Sequence, residues 1–161
     1  MRLSNSIRGK QRSGKDRSRP KITTTGGPHL SSAERESLLH AARKALQRAY
    51  APYSNFHVGA AVLTEQGETF TGCNVENASY GLTICAERSA IFTAVQGTKA
   101  EKLTIRAVAV VNGKEAPCSP CGACRQVIFE FGEKANIIFK SHRGYREMLI
   151  TDLLPESIRL F

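Results

Sequence analysis

Apolar residues recur at helical spacing through Leu38, Leu39, Ala42, Ala45, Leu46 and Ala49, behind a Ser31/Glu34 pair that fits a capping box. Pro52 forbids continuation of that helix. The pattern then changes to "FHVGAAVLT", a turn at "EQG", and "ETFTGCNV", which together predict a β-hairpin. Gly59, Ala60 and Ala61 are small enough to let another element pack close to the first of these strands. A second helix is predicted from Cys85 to Val95, closed by Gly97. "LTIRAVAVV" reads as a buried strand, and "GACRQVIFEFG" as a third helix closed by Gly132. "ANIIFK" and "YREMLI" are strands joined only by "SHRG", a link too short for a parallel crossover, so the pair is expected to be antiparallel. "TDLLPES" adds a short helical turn. The order α-β-β-α-β-α-β-β-α predicts an α/β fold, a three-layer α/β/α sandwich whose mixed five-stranded sheet is covered on both faces.

At 161 residues the chain suits one domain with a core of useful size. Its net charge of +9 suggests nucleic acid until it is divided along the chain. Residues 1–30 hold eight Lys/Arg and one Asp, which leaves only +2 for the remainder. The expected organisation is therefore a basic tail over residues 1–30 and a folded domain over residues 31–161. The tail has few large apolar side chains to bury and is expected to be disordered. A body at +2 offers no long phosphate track, so no nucleic-acid partner is expected. No apolar run approaches the ~18 residues of a membrane span. Five cysteines, an odd number, argue for reduced thiols and a cytoplasmic protein rather than a disulfide scaffold.

Three of those cysteines fall in "APCSPCGACRQV", and the cluster alone leaves three readings open. An iron–sulfur run would need a fourth cysteine where Ile128 stands. The thiols could instead be small apolar packing residues beside a proline turn. Zinc is the third reading, with a further ligand from elsewhere in the chain. That ligand is supplied by "TICAERSA", where Glu87 follows Cys85 by two residues at the opening of a helix. A Cys/His-x-Glu motif followed by Pro-Cys-x-x-Cys is the signature of zinc-dependent nucleobase and nucleoside deaminases. Cys85, Cys121 and Cys124 then bind one zinc and leave its fourth position open, as a catalytic site requires. Cys118 and Cys73 are expected to be bystanders.

"AYAPYSNFHVGAAVL", "GCNVENASY", "CAERSA" and "PCGACRQV" together resemble the cytidine deaminases, in their homotetrameric zinc-dependent class. The resemblance covers roughly residues 34–155 and implies that family's sandwich fold. It implies hydrolytic deamination of free cytidine and 2′-deoxycytidine to uridine and 2′-deoxyuridine in pyrimidine salvage, at active sites between subunits. Glu87 becomes the proton shuttle serving ring N3 and the departing ammonia. Asn74 and Glu76 become ligands of the ribose 3′-hydroxyl, and Phe56 a stacking partner for the base. Three thiolates on a divalent zinc leave −1, which Arg88 and Arg125, both beside ligand helices, could offset; the family points to Arg88 as the donor to ligand sulfur. Family chains commonly end "LLPxxF", whereas this one reads "LLPESIRLF", with Ile158 where the aromatic is expected and Phe161 three residues later. Two rival readings are a deaminase of another small aminopyrimidine such as blasticidin S, and a polynucleotide-editing protein. "NVEN" speaks for nucleosides against the first, and the weakly charged body against the second.

Overall fold

A computed structural model describes residues 29–159. The tail expectation, apart from His29 and Leu30, and the question of Phe161 lie outside the described residues. Helix α1 (Ser32–Leu46) starts on the expected capping box. The Glu34 backbone N–H donates to Ser31 Oγ at 3.2 Å, and the Ser31 N–H donates back to Glu34 Oε2 at 2.9 Å. These two bonds satisfy donors that a helix start otherwise leaves open.

Strands β1 (Val58–Thr64) and β2 (Thr69–Cys73) form the hairpin, turning through Gly67 at φ +82°. Helix α2 (Ala86–Gly97) leads to β3 (Ile105–Asn112), and helix α3 (Gly122–Phe131) leads to β4 (Asn136–Ser141). Strand β5 (Gly144–Leu149) and the single turn α4 (Ile150–Leu153) follow. The β4–β5 connection is tighter than "SHRG" suggests, because Ser141 already pairs with Gly144 and only His142 and Arg143 turn the chain. The sequence pattern does not foretell a 3₁₀ turn at Tyr80–Leu82; three residues carry no periodicity to read.

The five strands lie in the order β2-β1-β3-β4-β5. Only β3 and β4 run parallel, joined by α3 as the crossover, and the other neighbours are antiparallel. Alternation along the strands divides the core in two. Ala61, Leu63, Ala107, Ala109 and Val111 meet Leu38, Leu39 and Ala42 of α1 on one face. On the other, Ala60, Val62, Val108, Val110 and Ile137 meet Ala90, Ile91, Ala94 and Ile128 of α2 and α3. These are the three expected layers. The small residues of β1 have the expected purpose: a Cβ on Gly59 would stand 2.1 Å from Ala42 O of α1. Gly72 on β2 does the same for α2, where a Cβ would stand 2.3 Å from Ala90 N. Among the described residues no helix is long and apolar enough to cross a membrane.

The topology collects three chain segments at one end of the sheet. The C-terminal end of β3 at Asn112 pairs with Val58 at the start of β1, and the Gly113 N–H donates to His57 O at 3.1 Å. Loop 113–121 runs from this end into α3. A crevice beyond the carboxyl ends of parallel strands is where such sheets build sites.

Candidate active site

Cys85 is the N-cap residue of α2 and Cys121 that of α3. Unpaired N–H groups and the helix dipole both favour a thiolate at such positions. Cys124, one turn into α3, is fully buried, whereas Cys85 is half-buried and Cys121 exposed. The three sulfurs lie within 4.8 Å of one another, the single such group of potential metal ligands among the described residues.

Arg88, one turn along α2, donates from Nη2 to Cys85 Sγ at 3.7 Å and to Thr83 O at 3.2 Å. The three thiols taken by themselves hold charge unequally. Donation from the Cys124 thiol, with help from Arg88, brings Cys85 down to about 5. The same contact, together with burial, pushes Cys124 upward. Glu87 is 5% exposed, and its burial raises the carboxyl above the ordinary range, with the negative charge of Cys85 adding to the effect.

Arg125 does not share the work of Arg88. Its guanidinium turns to Pro120 O, Ser119 Oγ and Leu153 O, each at 2.8 Å, and to no sulfur. Cys118 stands outside the three-sulfur group; its N–H donates to Lys140 O at 2.8 Å, and burial pushes its thiol up to about 11. Cys73 stays on strand β2, half-buried and likewise outside the group.

Phe56, Asn74 and Glu76 form a second, connected group. Asn74, 8% exposed, accepts from the Val58 N–H at its Oδ1 and donates from Nδ2 to Phe56 O, both at 2.8 Å. Glu76 accepts at Oε2 from the Tyr53 and Ser54 N–H groups at 2.9 and 3.2 Å, and at Oε1 from the Ser54 hydroxyl. These donors, the hydroxyl foremost, hold Glu76 below its ordinary pKa. Both side chains therefore shape the loop that presents Phe56, while a carboxylate and an amide N–H₂ retain further bonding capacity. Phe56 packs half-buried against the core, with Lys114 Nζ 5.9 Å from its ring centroid. A two-way backbone bridge between Val75 and Ile84, 3.0 Å in each direction, ties this group to Cys85.

Sequence reasoning missed Asn112. It is buried, its Oδ1 accepts from the Lys114 and Ala116 N–H groups at 3.0 Å, and its Nδ2 donates to Ala116 O at 2.7 Å. It thereby shapes the start of the loop that leads to Cys121. The Asn-Gly pair after a strand was the available signal.

A family model, "cytidine and deoxycytidylate deaminase zinc-binding region", matches residues 32–140. The chain belongs to this deaminase family. It is 54% identical over 123 residues to a cytidine deaminase of Sporosarcina psychrophila, covering 74% of this chain and 88% of that one. The crystal structure of cytidine deaminase from Burkholderia pseudomallei superposes with a TM-score of 0.67 at 46% identity, over 76% of this chain and 98% of that one. That of the Mycobacterium tuberculosis cytidine deaminase gives 0.68 at 41%, over 79% and 98%. The donor set suits the metal of a zinc-binding deaminase. Sulfurs on a tetrahedral zinc stand about 3.8 Å apart for bonds of about 2.3 Å, so thiols already within 4.8 Å need little closing. Three protein ligands leave one position for chemistry.

Proposed function

We propose that this deaminase hydrolyses free cytidine and 2′-deoxycytidine to uridine and 2′-deoxyuridine, releasing ammonia. The observation that carries the reading is a buried glutamate two positions after a thiol of a three-sulfur cluster, in a chain of this family. Cys85, Cys121 and Cys124 would hold one zinc. When bound, zinc supplies Lewis acidity that makes hydroxide available near neutral pH. Glu87, buried and not a ligand, takes the protons of the attacking water in turn, delivering one to pyrimidine N3 and the other to the amino nitrogen as it leaves. Arg88 offsets the excess negative charge of three thiolates. Phe56 offers a face to the base, and Asn74 and Glu76 offer an amide and a carboxylate to the ribose 3′-hydroxyl. Those last two favour nucleosides over other small aminopyrimidines, and over a continuing polynucleotide strand.

The active form is a homotetramer with sites between subunits. Exposed Tyr50, Tyr53, Tyr80 and Leu82, on the loops around the site, and Phe92 and Val95 on α2 support cover by further copies. Its setting is pyrimidine salvage in the cytoplasm, where five unpaired thiols remain reduced. The test is the loss of cytidine absorbance with purified protein, with and without a zinc chelator. Turnover abolished by the chelator and restored by zinc is expected; no turnover of cytidine or deoxycytidine by zinc-loaded protein would overturn the reading.

A further inference from the structure

Arg125 follows a thiol of the cluster directly, yet all three of its bonds serve the backbone and a hydroxyl. Two go to Pro120 O and Ser119 Oγ, immediately ahead of Cys121, and the third goes to Leu153 O at the end of α4. A planar guanidinium has its donors in a fixed fork, so three good bonds at once hold the loop and the turn in one mutual position. The next residue continues the arrangement. Gln126 donates from Nε2 to Ile158 O at 3.1 Å and accepts at Oε1 from the Ile158 N–H at 3.0 Å, as a neighbouring strand would. Arg159 then lies 4.7 Å from the Phe129 ring centroid and 3.3 Å from Glu133. The chain after β5 is thus laid back along α3, the helix whose first turn carries Cys121 and Cys124.

The sulfurs of that turn are unequally protected. Cys124 is buried, whereas Cys121 is exposed and sits at the end of a loop. A cation leaving the cluster would be released first by the sulfur free to swing outward, and the backbone just before that sulfur is what Arg125 grips. We propose that Arg125 is a positioning residue that braces the Cys121 loop against the carboxyl-terminal segment, residues 150–159, so that this segment controls how long the three thiols retain their metal. The proposal rests on the zinc reading of Cys85, Cys121 and Cys124.

The experiment follows zinc release from the loaded full-length protein into a chromogenic chelator. Arg125→Met keeps the apolar stem and removes the donors; release should quicken about 10–100-fold, the usual effect of losing a group that orients a ligand. Arg125→Lys, with one donor head, should recover part of the loss. The cobalt-loaded Arg125→Met protein should show shifted thiolate charge-transfer bands while its far-ultraviolet circular dichroism stays that of the wild type. A chain ending at Pro155 keeps the Leu153 carbonyl but loses the Gln126 and Arg159 contacts. It should release zinc faster in the wild-type background and no faster once Arg125→Met is present. Unchanged release in Arg125→Met and Arg125→Lys, or effects of truncation and substitution that multiply, would overturn the brace. A wild-type chain that binds no zinc would instead overturn the metal reading, and the brace with it.

Discussion

Cys118 and Cys121 are three residues apart in one loop, yet only the second has its sulfur in the cluster. Cys121→Ala should therefore lose the metal, and much of the fold with it, because metal binding contributes folding energy. Cys118→Ala should keep about one zinc per chain, as metal analysis will measure; equal loss in the two variants would reassign the ligands. Glu87→Gln should retain zinc and nucleoside binding but lower kcat by more than the ~10²–10⁴ of a single acid–base step, since the proposed proton shuttle serves more than one. A variant with a tenth of wild-type turnover would remove Glu87 from the chemistry. The three-thiol group was legible in the sequence because a metal demands fixed residue types at fixed spacing. The hold of Asn74 and Glu76 on the Phe56 loop was not. Nor was the aim of Arg125, whose partner Leu153 lies 28 residues away and becomes a neighbour only when the chain closes.

Helix α1 reaches the sheet in two ways, each open to test. At its start, backbone and hydroxyl donors of Ser31, then Arg106 of β3, hold the Glu34 carboxyl down to about 2. A depressed carboxyl stabilises the fold fully above its ordinary value of 4.5, and that contribution is lost as pH falls toward about 2. Glu34→Gln should thus melt below wild type at pH 6, with the gap closing between pH 4.5 and 2 in thermal scans. Further along, Gly59→Ala would drive a Cβ into the Ala42 carbonyl and the Leu46 nitrogen, 2.1 and 2.5 Å away. Overpacking against helix backbone should cost about 1–3 kcal/mol or more in denaturant titration. Gly81→Ala, with nothing within 4 Å, should cost far less. Elements of this kind were readable because caps, glycines and apolar period are local signals. Which strands become neighbours is not local: the order β2-β1-β3-β4-β5 depends on both faces finding helices to cover them.

At the scale of the molecule, the sheet has a working end and a quiet one. The cluster and its loops gather beyond Asn112, whereas the Glu34–Arg106 contact at the start of α1 marks the opposite end of β3, roughly 20 Å away at ~3.3 Å per residue. Leu30, 3% exposed, anchors the chain there against α1 and the sheet. Removing residues 1–28 should leave kcat/KM for cytidine within about twofold and the melting temperature near wild type, since a segment with few large apolar side chains has little to dock. Extending the deletion through Leu30 should lower the melting temperature, because burying a leucine is worth about 1.5–3 kcal/mol. Loss of turnover on the shorter deletion would show that the segment contributes to the site. The same polarity gives the molecule a natural handle: an affinity tag, a fusion partner or a covalent link to a bead, joined ahead of Leu30, attaches at the end of the sheet remote from the three-sulfur cluster and leaves that end clear of the support.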